Sequence, residues 1–170
     1  MIERMEKEDF DLFFSALESS FPPEEYRTYD GQRELLENEK YKIYVLRDGE
    51  GPKAFITMWD LDGFQFLEHF VVDPAYRNQG LGAKVLGEIK SMLSGPICFE
   101  VEPPETEYAR RRIAFYQRNG FHVNDYPYIQ PPYSRDKKGL PLLIMTSGGK
   151  MSPEQLEKMK QAIYKNVYRV

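Results

Sequence analysis

Val71-Val72-Asp73-Pro74-Ala75-Tyr76-Arg77-Asn78-Gln79-Gly80-Leu81-Gly82-Ala83 joins two kinds of local structure. Upstream, Phe64 to Val72 is rich in aromatic and β-branched residues and reads as a strand, which Asp73-Pro74 ends. Downstream, Leu81, Val85, Leu86, Ile89 and Leu93 recur at helical spacing. Gly80 and Gly82 therefore open a helix directly after a strand. Neither carries a side chain, so an anion such as a pyrophosphate can approach the backbone, and the unpaired N–H groups of the first helical turn can point at it. Arg77 adds a fixed positive charge beside that turn. The segment lacks the Lys-Ser/Thr ending of a phosphate-binding loop and the third glycine of a dinucleotide fingerprint, which argues against nucleotide hydrolysis and nicotinamide binding.

Outward from this junction the chain alternates helices and strands. Ile2 to Met5 reads as a short first strand, Asp9 to Ser19 as a helix and Gly31 to Asn38 as a second helical segment; Phe21-Pro22-Pro23 breaks the chain between the two helices. Lys42 to Arg47, Lys53 to Trp59 and Phe64 to Val72 are strands separated by the turn-rich Asp48-Gly49-Glu50-Gly51-Pro52 and Asp60-Leu61-Asp62-Gly63, which predicts an antiparallel meander. After the glycine-opened helix the pattern predicts a strand at Ile97 to Val101, a helix carrying Tyr116, a strand at Phe121 to Pro127, a long loop, and a strand at Leu140 to Thr146. Ser152 can cap a last helix, with Pro153 at its first position and Gln155 closing a capping box. Its stripe of Leu156, Met159, Ile163, Val167 and Val170 is expected to cover the molecule's own sheet, a second subunit being the alternative cover. The predicted class is α/β (α+β): a mixed, mostly antiparallel sheet with helices on both faces, in one domain over 1–170 with 150–170 as a C-terminal helical extension.

Composition narrows the function classes. With 170 residues, 41% of them hydrophobic, a single core can bury roughly two thirds of the unfolded surface. The one cysteine, Cys98, lies in the apolar run Ile97-Cys98-Phe99 and reads as a small buried hydrophobe in a reducing compartment. The amino terminus is too charged for a signal peptide, and no apolar run approaches the ~20 residues of a membrane span; a cytoplasmic location without a membrane partner is expected. A net charge of -4 and a pI near 5.4 argue against a nucleic-acid partner. The two histidines, His69 and His122, have no carboxylates at metal-ligand spacing, so no metal is expected.

Two segments together resemble the GNAT superfamily of acetyl-CoA-dependent N-acyltransferases. Arg77-Asn78-Gln79-Gly80-Leu81-Gly82 looks like its Arg/Gln-x-x-Gly-x-Gly/Ala motif, and Arg110-Arg111-Arg112-Ile113-Ala114-Phe115-Tyr116-Gln117-Arg118-Asn119-Gly120-Phe121 looks like its later helix, which ends in Phe/Leu-Tyr-x-x-x-Gly-Phe. The resemblance spans roughly Tyr41 to Val123. It implies acetyl-CoA as acyl-donor cosubstrate, held by the backbone of Phe70, Val71 and Val72 along the pantetheine arm and by Arg77, Asn78, Gln79, Gly80, Leu81, Gly82 and Ala83 at the diphosphate. It also implies that Tyr116 lies near the sulfur. The family often has Asn seven residues before the tyrosine and a small residue four before it; here those positions are Ala109 and Arg112. The three arginines fan out by about 100° each on a helix and cannot form one stripe; a solvated face is expected, with contacts to CoA phosphates or adenosine the alternative.

The implied chemistry is amide formation from a thioester and an amine, which needs a neutral nucleophile, a stabilised oxyanion and a proton for the departing thiolate. Tyr116 is the implied acid, since a phenol with pKa of about 10 is protonated at neutral pH; the Phe70 N–H is the implied oxyanion donor. A lysine-like amine has only about one molecule in 2,500 neutral at pH 7, a handicap of roughly 4.6 kcal/mol that a base would relieve. Glu68 is the leading base, because strand alternation gives it one face with Phe70 and Val72 and gives His69 the other; Glu100 is the second candidate. No Gly-x-Ser-x-Gly elbow or Cys/His signature supports a covalent acyl-enzyme. The acceptor, a small-molecule or protein amine, meets a wall built from Tyr126-Pro127-Tyr128-Ile129-Gln130-Pro131-Pro132-Tyr133 and Phe21-Pro22-Pro23-Glu24-Glu25-Tyr26, or these are plain surface loops. A non-catalytic acyl-CoA-binding regulatory module is the alternative function, and a homodimer the alternative to a monomer.

Overall fold

Three long strands, β2 (Tyr41–Asp48), β3 (Gly51–Leu61) and β4 (Phe64–Val72), carry the first half of the fold in the computed structural model, which describes residues 1–170. A short β1 (Ile2–Arg4) precedes them, and β5 (Ile97–Val101), β6 (Phe121–Gln130) and β7 (Leu140–Ser147) follow. The helices are α1 (Phe10–Ser20), α2 (Tyr29–Glu34), α3 (Leu81–Met92), α4 (Glu107–Arg118) and α5 (Pro153–Ile163). The strands are ordered β1-β2-β3-β4-β5-β7-β6. Pairings β1/β2, β2/β3, β5/β7 and β6/β7 are antiparallel, and β4/β5 is parallel through Gln65↔Ile97 and Phe66↔Cys98. The mixed, mostly antiparallel sheet is the predicted class.

The chain divides into two units, Met1–Asp60 with Leu67–Leu93, and Leu61–Phe66 with Ser94–Val170. In the first, the meander's apolar side chains meet α1: Phe10, Phe13, Leu17, Ile56 and Trp59 are fully buried, and Phe13 packs edge-on against Phe55 at 5.6 Å between centroids. In the second, Phe99, Tyr116 and Phe121 form an aromatic cluster with centroid separations of 4.3 to 6.1 Å. Leu156, Met159, Ile163 and Val167 of the last helix are buried.

The differences from the sequence reading have local physical causes. The second helical segment begins at Tyr29, earlier than Gly31, because Thr28 caps it by accepting from the Gly31 N–H at 3.1 Å; it then tightens into a 3-10 turn at Leu35–Glu37. The first three residues of the loop expected after Pro127 are strand. β6 runs to Gln130, with a register shift between Asn124 and Tyr128 that takes Pro127, which has no N–H to donate, out of the ladder. The final stripe stops at Val167. A π-turn at Tyr164–Tyr168 follows α5, and Arg169 at φ 58 ends it, so Val170 is 73% exposed.

The capping box at α5 is present in both directions. Gln155 N–H donates to Ser152 Oγ at 3.2 Å, and Ser152 N–H to Gln155 Oε1 at 2.8 Å. Ser152→Ala is expected to cost about 1 kcal/mol, which a melting curve reads as a Tm fall of roughly 2–4 °C in a chain of this size.

Candidate active site

The strand-to-helix junction is built as an open turn. Asp73 Oδ1 accepts from the Ala75 N–H at 2.8 Å, Pro74 starts a 3-10 turn, and Arg77 Nε donates back to the Val72 carbonyl at 3.0 Å. Asn78 (φ 61) and Gly80 (φ 78) then adopt left-handed backbone. A Cβ at Gly80 would meet nothing within 4 Å; the glycine is required by its φ, and the space beside it is open. Thr28, Thr106 and Ser152 cap α2, α4 and α5, whereas no side chain caps α3 at Gly80. The N–H groups of Leu81, Gly82 and Ala83 belong to its first turn, where helical geometry supplies no acceptor. An uncapped, exposed helix start with two left-handed residues before it is fit to receive an anion.

Glu68 sits in a buried network of the same unit. Its Oε1 lies 2.8 Å from Arg27 Nη1, and its Oε2 accepts from Trp59 Nε1 at 2.9 Å; the Glu68 side chain is 1% exposed and that of Arg27 14%. Arg27 lies 5.9 Å from the Trp59 ring centroid. Behind them the buried Gln32 donates to the Tyr41 hydroxyl at 2.6 Å, and burial, together with the charge of Glu68, pushes the Tyr41 phenol far above its ordinary range. His69 Nε2 bonds the Glu25 carbonyl at 2.8 Å, so that nitrogen carries the proton, and its ring meets Phe21 edge-on. Burial lowers the His69 pKa, keeping the ring neutral. Both Glu68 and His69 thus reach the segment Phe21–Arg27. The Thr57 hydroxyl accepts from the His69 N–H at 2.8 Å.

On α4 the three arginines fan out as helical geometry requires. Arg110 donates to the Pro104 carbonyl at 3.2 Å, Arg111 pairs with Glu107 at 2.6 Å, and Arg112 turns inward, its Nη2 3.5 Å from the Tyr116 hydroxyl. The Tyr116 ring is buried against Phe99, Phe115 and Phe121. Gly120, at φ 88, lets the chain reverse from α4 into β6. Ala109 is buried, and its N–H donates to Thr106 Oγ1 at 3.0 Å.

Glu100, one residue beyond Phe99 on β5, projects to the opposite face of that strand. Its Oε1 accepts from the Tyr168 hydroxyl at 2.6 Å and from Gln130 Nε2 at 3.1 Å; its Oε2 accepts from the Tyr128 hydroxyl at 2.6 Å. Burial first, and the Glu100 charge second, push the Tyr128 phenol far up, so it keeps its proton and donates.

Comparison with known proteins fits this geometry. The family described as "Acetyltransferase (GNAT) domain" matches residues 39–123, a span holding the glycine turn, both carboxylates and Tyr116. The chain belongs to the GNAT acetyltransferase family. A solved GNAT structure, "Putative acetyltransferase from GNAT family from Bacteroides thetaiotaomicron", is 36% identical with a TM-score of 0.91, covering 100% of this chain and 99% of that one. The Bacillus subtilis (strain 168) protein named "Putative acetyltransferase YjbC" is 29% identical over 92% of this chain and 81% of its own length. A variant of the GNAT-fold spermidine N-acetyltransferase SpeG from Vibrio cholerae shares the fold at 10% identity, with a TM-score of 0.66 over 86% of this chain and 94% of that one. No helix of this GNAT protein is long and apolar enough to cross a membrane.

Sequence reasoning did not single out Arg27, Trp59 or Tyr168. Tyr164 and Tyr168, four apart and off the apolar stripe, were the visible sign that the end of the last helix carries polar contacts. Arg27 had none, because its partner lies forty-one positions away in the sequence.

Proposed function

We propose that this GNAT acetyltransferase is an N-acetyltransferase that moves an acetyl group from acetyl-CoA to a primary amine by direct attack in a ternary complex, with residues 1–170 acting as one acetyltransferase domain. The diphosphate is received by the N–H groups at Gly80 to Ala83 with Arg77, Asn78 and Gln79 around it. The pantetheine arm runs along the backbone of Phe70 to Val72, downstream of the short β4/β5 ladder. The amine nitrogen attacks the thioester carbon, the C–S bond breaks, the thiolate takes the Tyr116 proton, and a carboxylate takes the proton lost by the amine.

One observation carries the reading: on β5, Phe99 packs under Tyr116 while its neighbour Glu100 faces away, among Tyr128, Gln130 and Tyr168. In this reading Tyr116 protonates the leaving sulfur and Glu100 takes the proton lost by the amine, the two roles falling to residues anchored at neighbouring positions of β5. Of the two carboxylates, Glu100 suits the base better. Its donors include an amide and two phenols, whereas Glu68 has a guanidinium at 2.8 Å whose charge favours the carboxylate form.

The test is thiol release from acetyl-CoA against a panel of amines, with Glu100→Gln and Glu68→Gln beside the parent. Amine-dependent release is expected, falling at least tenfold at pH 7 in Glu100→Gln and recovering as pH rises toward the amine pKa. Acetyl-CoA binding without release for any amine would favour a regulatory module.

A further inference from the structure

Residues 164–168 lie outside the matched stretch of the family, yet they reach its second carboxylate. A continued α-helix would keep Val170 on the buried stripe and carry Tyr168 off it. The wider i→i+5 turn advances less per residue, so by residue 168 the side chain has been brought back by roughly a quarter turn. The exposures follow: Tyr168 is 8% exposed and Val170 73%. Arg169 at φ 58 and the bond from Val170 N–H to the Tyr164 carbonyl at 3.1 Å close the turn behind it. The Tyr168 ring packs on Tyr133 at 5.3 Å, and its hydroxyl ends 2.6 Å from Glu100 Oε1. From β6, Tyr128 puts a second phenol on Oε2 at the same distance.

We infer that Tyr168 is a positioning residue for the reaction: the C-terminal π-turn exists to place its hydroxyl on Glu100, so that two phenols, one per oxygen, hold this carboxylate ionised and aimed. The inference rests on the reading of Glu100 as the proton acceptor. Phenols suit the task because they donate without contributing charge, fixing the carboxylate while leaving it able to receive a proton from an ammonium. Bond by bond, the amine N–H breaks, the proton joins a Glu100 oxygen, and the phenols keep their own protons.

The experiment is the pH dependence of kcat/KM for the amine in Tyr168→Phe, which keeps the ring against Tyr133 and removes one oxygen. Withdrawing a donor from the carboxylate makes its protonation easier, so the acid limb should move to higher pH by roughly one unit, with the KM for acetyl-CoA unchanged. Tyr128→Phe should move the limb the same way, and it tests the phenol pair should Tyr168→Phe fold poorly. Tyr164→Phe is the control, because the Tyr164 hydroxyl donates to the Ile129 carbonyl; its limb should stay in place. A folded Tyr168→Phe with the parent's limb overturns the inference. If Glu100→Gln itself retains the parent profile, the reading of Glu100 as base fails instead, and the two failures are told apart.

Discussion

Tyr116→Phe is expected to lower kcat by about 10²–10³-fold while leaving the Kd for acetyl-CoA and the melting temperature nearly unchanged. A positioned general acid contributes typically 10²–10⁴-fold, and a thiolate leaving without a proton donor must depart as the free anion. The substitution isolates that contribution because the ring, packed at 4.3 Å on Phe99 and edge-on to Phe115 and Phe121, stays where it is. Among the hydroxyl's interactions, the substitution removes the weak hydrogen bond that Arg112 donates at 3.5 Å. Arg112 stands where the family often has a small residue, and its guanidinium would stabilise the phenolate left behind after the proton moves; Arg112→Gln should therefore lower kcat in the same direction by a smaller factor. A purified Tyr116→Phe that turns over at the parent's rate would strip the phenol of this role, leaving it a member of the aromatic core. Activating the leaving group discriminates further: a thioester of a more acidic thiol should recover much of the missing rate in Tyr116→Phe and little of it in Glu100→Gln.

What the sequence made legible was whatever is encoded locally. The strand from Phe64 to Val72, the Asp73-Pro74 stop and the glycine-opened helix follow from neighbouring residues alone; the strand has the bounds read from the pattern, and the helix ends at Met92, one residue short of the last stripe position, Leu93. The capping box at Ser152 was legible for the same reason. The end of the last helix was not, because the partner its last turn meets, Glu100 for the Tyr168 hydroxyl, lies far away in the sequence. The β6 extension past Pro127 was hidden likewise: proline argues against a strand unless a register shift on an edge removes the need for its N–H, and the shift appears only in the pairing with β7.

The candidate site divides along the same line. Asn78 and Gly80, whose backbone is left-handed, lie in the short motif that carried the family resemblance and so could be named from the sequence. The choice between Glu68 and Glu100 could not, because it depends on what each carboxylate touches, and those partners come from Arg27, Trp59, Tyr128, Gln130 and Tyr168, scattered along the chain. Parity along β4 pointed to Glu68 with good reason, yet parity says nothing about a guanidinium waiting on another segment.

That guanidinium underlies the second large expected effect: Arg27→Met should cost about 3 kcal/mol of stability, a Tm fall of roughly 6–12 °C. Methionine preserves most of the length and the apolar stem, so the loss reports charge rather than volume. What remains is a carboxylate 1% exposed, held by the Trp59 N–H at 2.9 Å and stripped of its cation. Breaking one side of a buried ion pair typically costs 3–5 kcal/mol, and the lower figure applies because Arg27 retains 14% exposure. The double variant Arg27→Met with Glu68→Gln should recover a large part of the loss, since a neutral amide still satisfies the indole N–H and brings no buried charge. Linkage gives the sign with pH. In Arg27→Met the folded state disfavours the charged form of Glu68, so the deficit is largest where that carboxylate is ionised, near pH 8, and shrinks toward pH 5 as it can take up a proton. Chemical denaturation at those two pH values measures it. An equal deficit at both would mean that Arg27 contributes through packing on the Trp59 ring and not through the charge of Glu68; none at either would mean that it stabilises the fold by neither route.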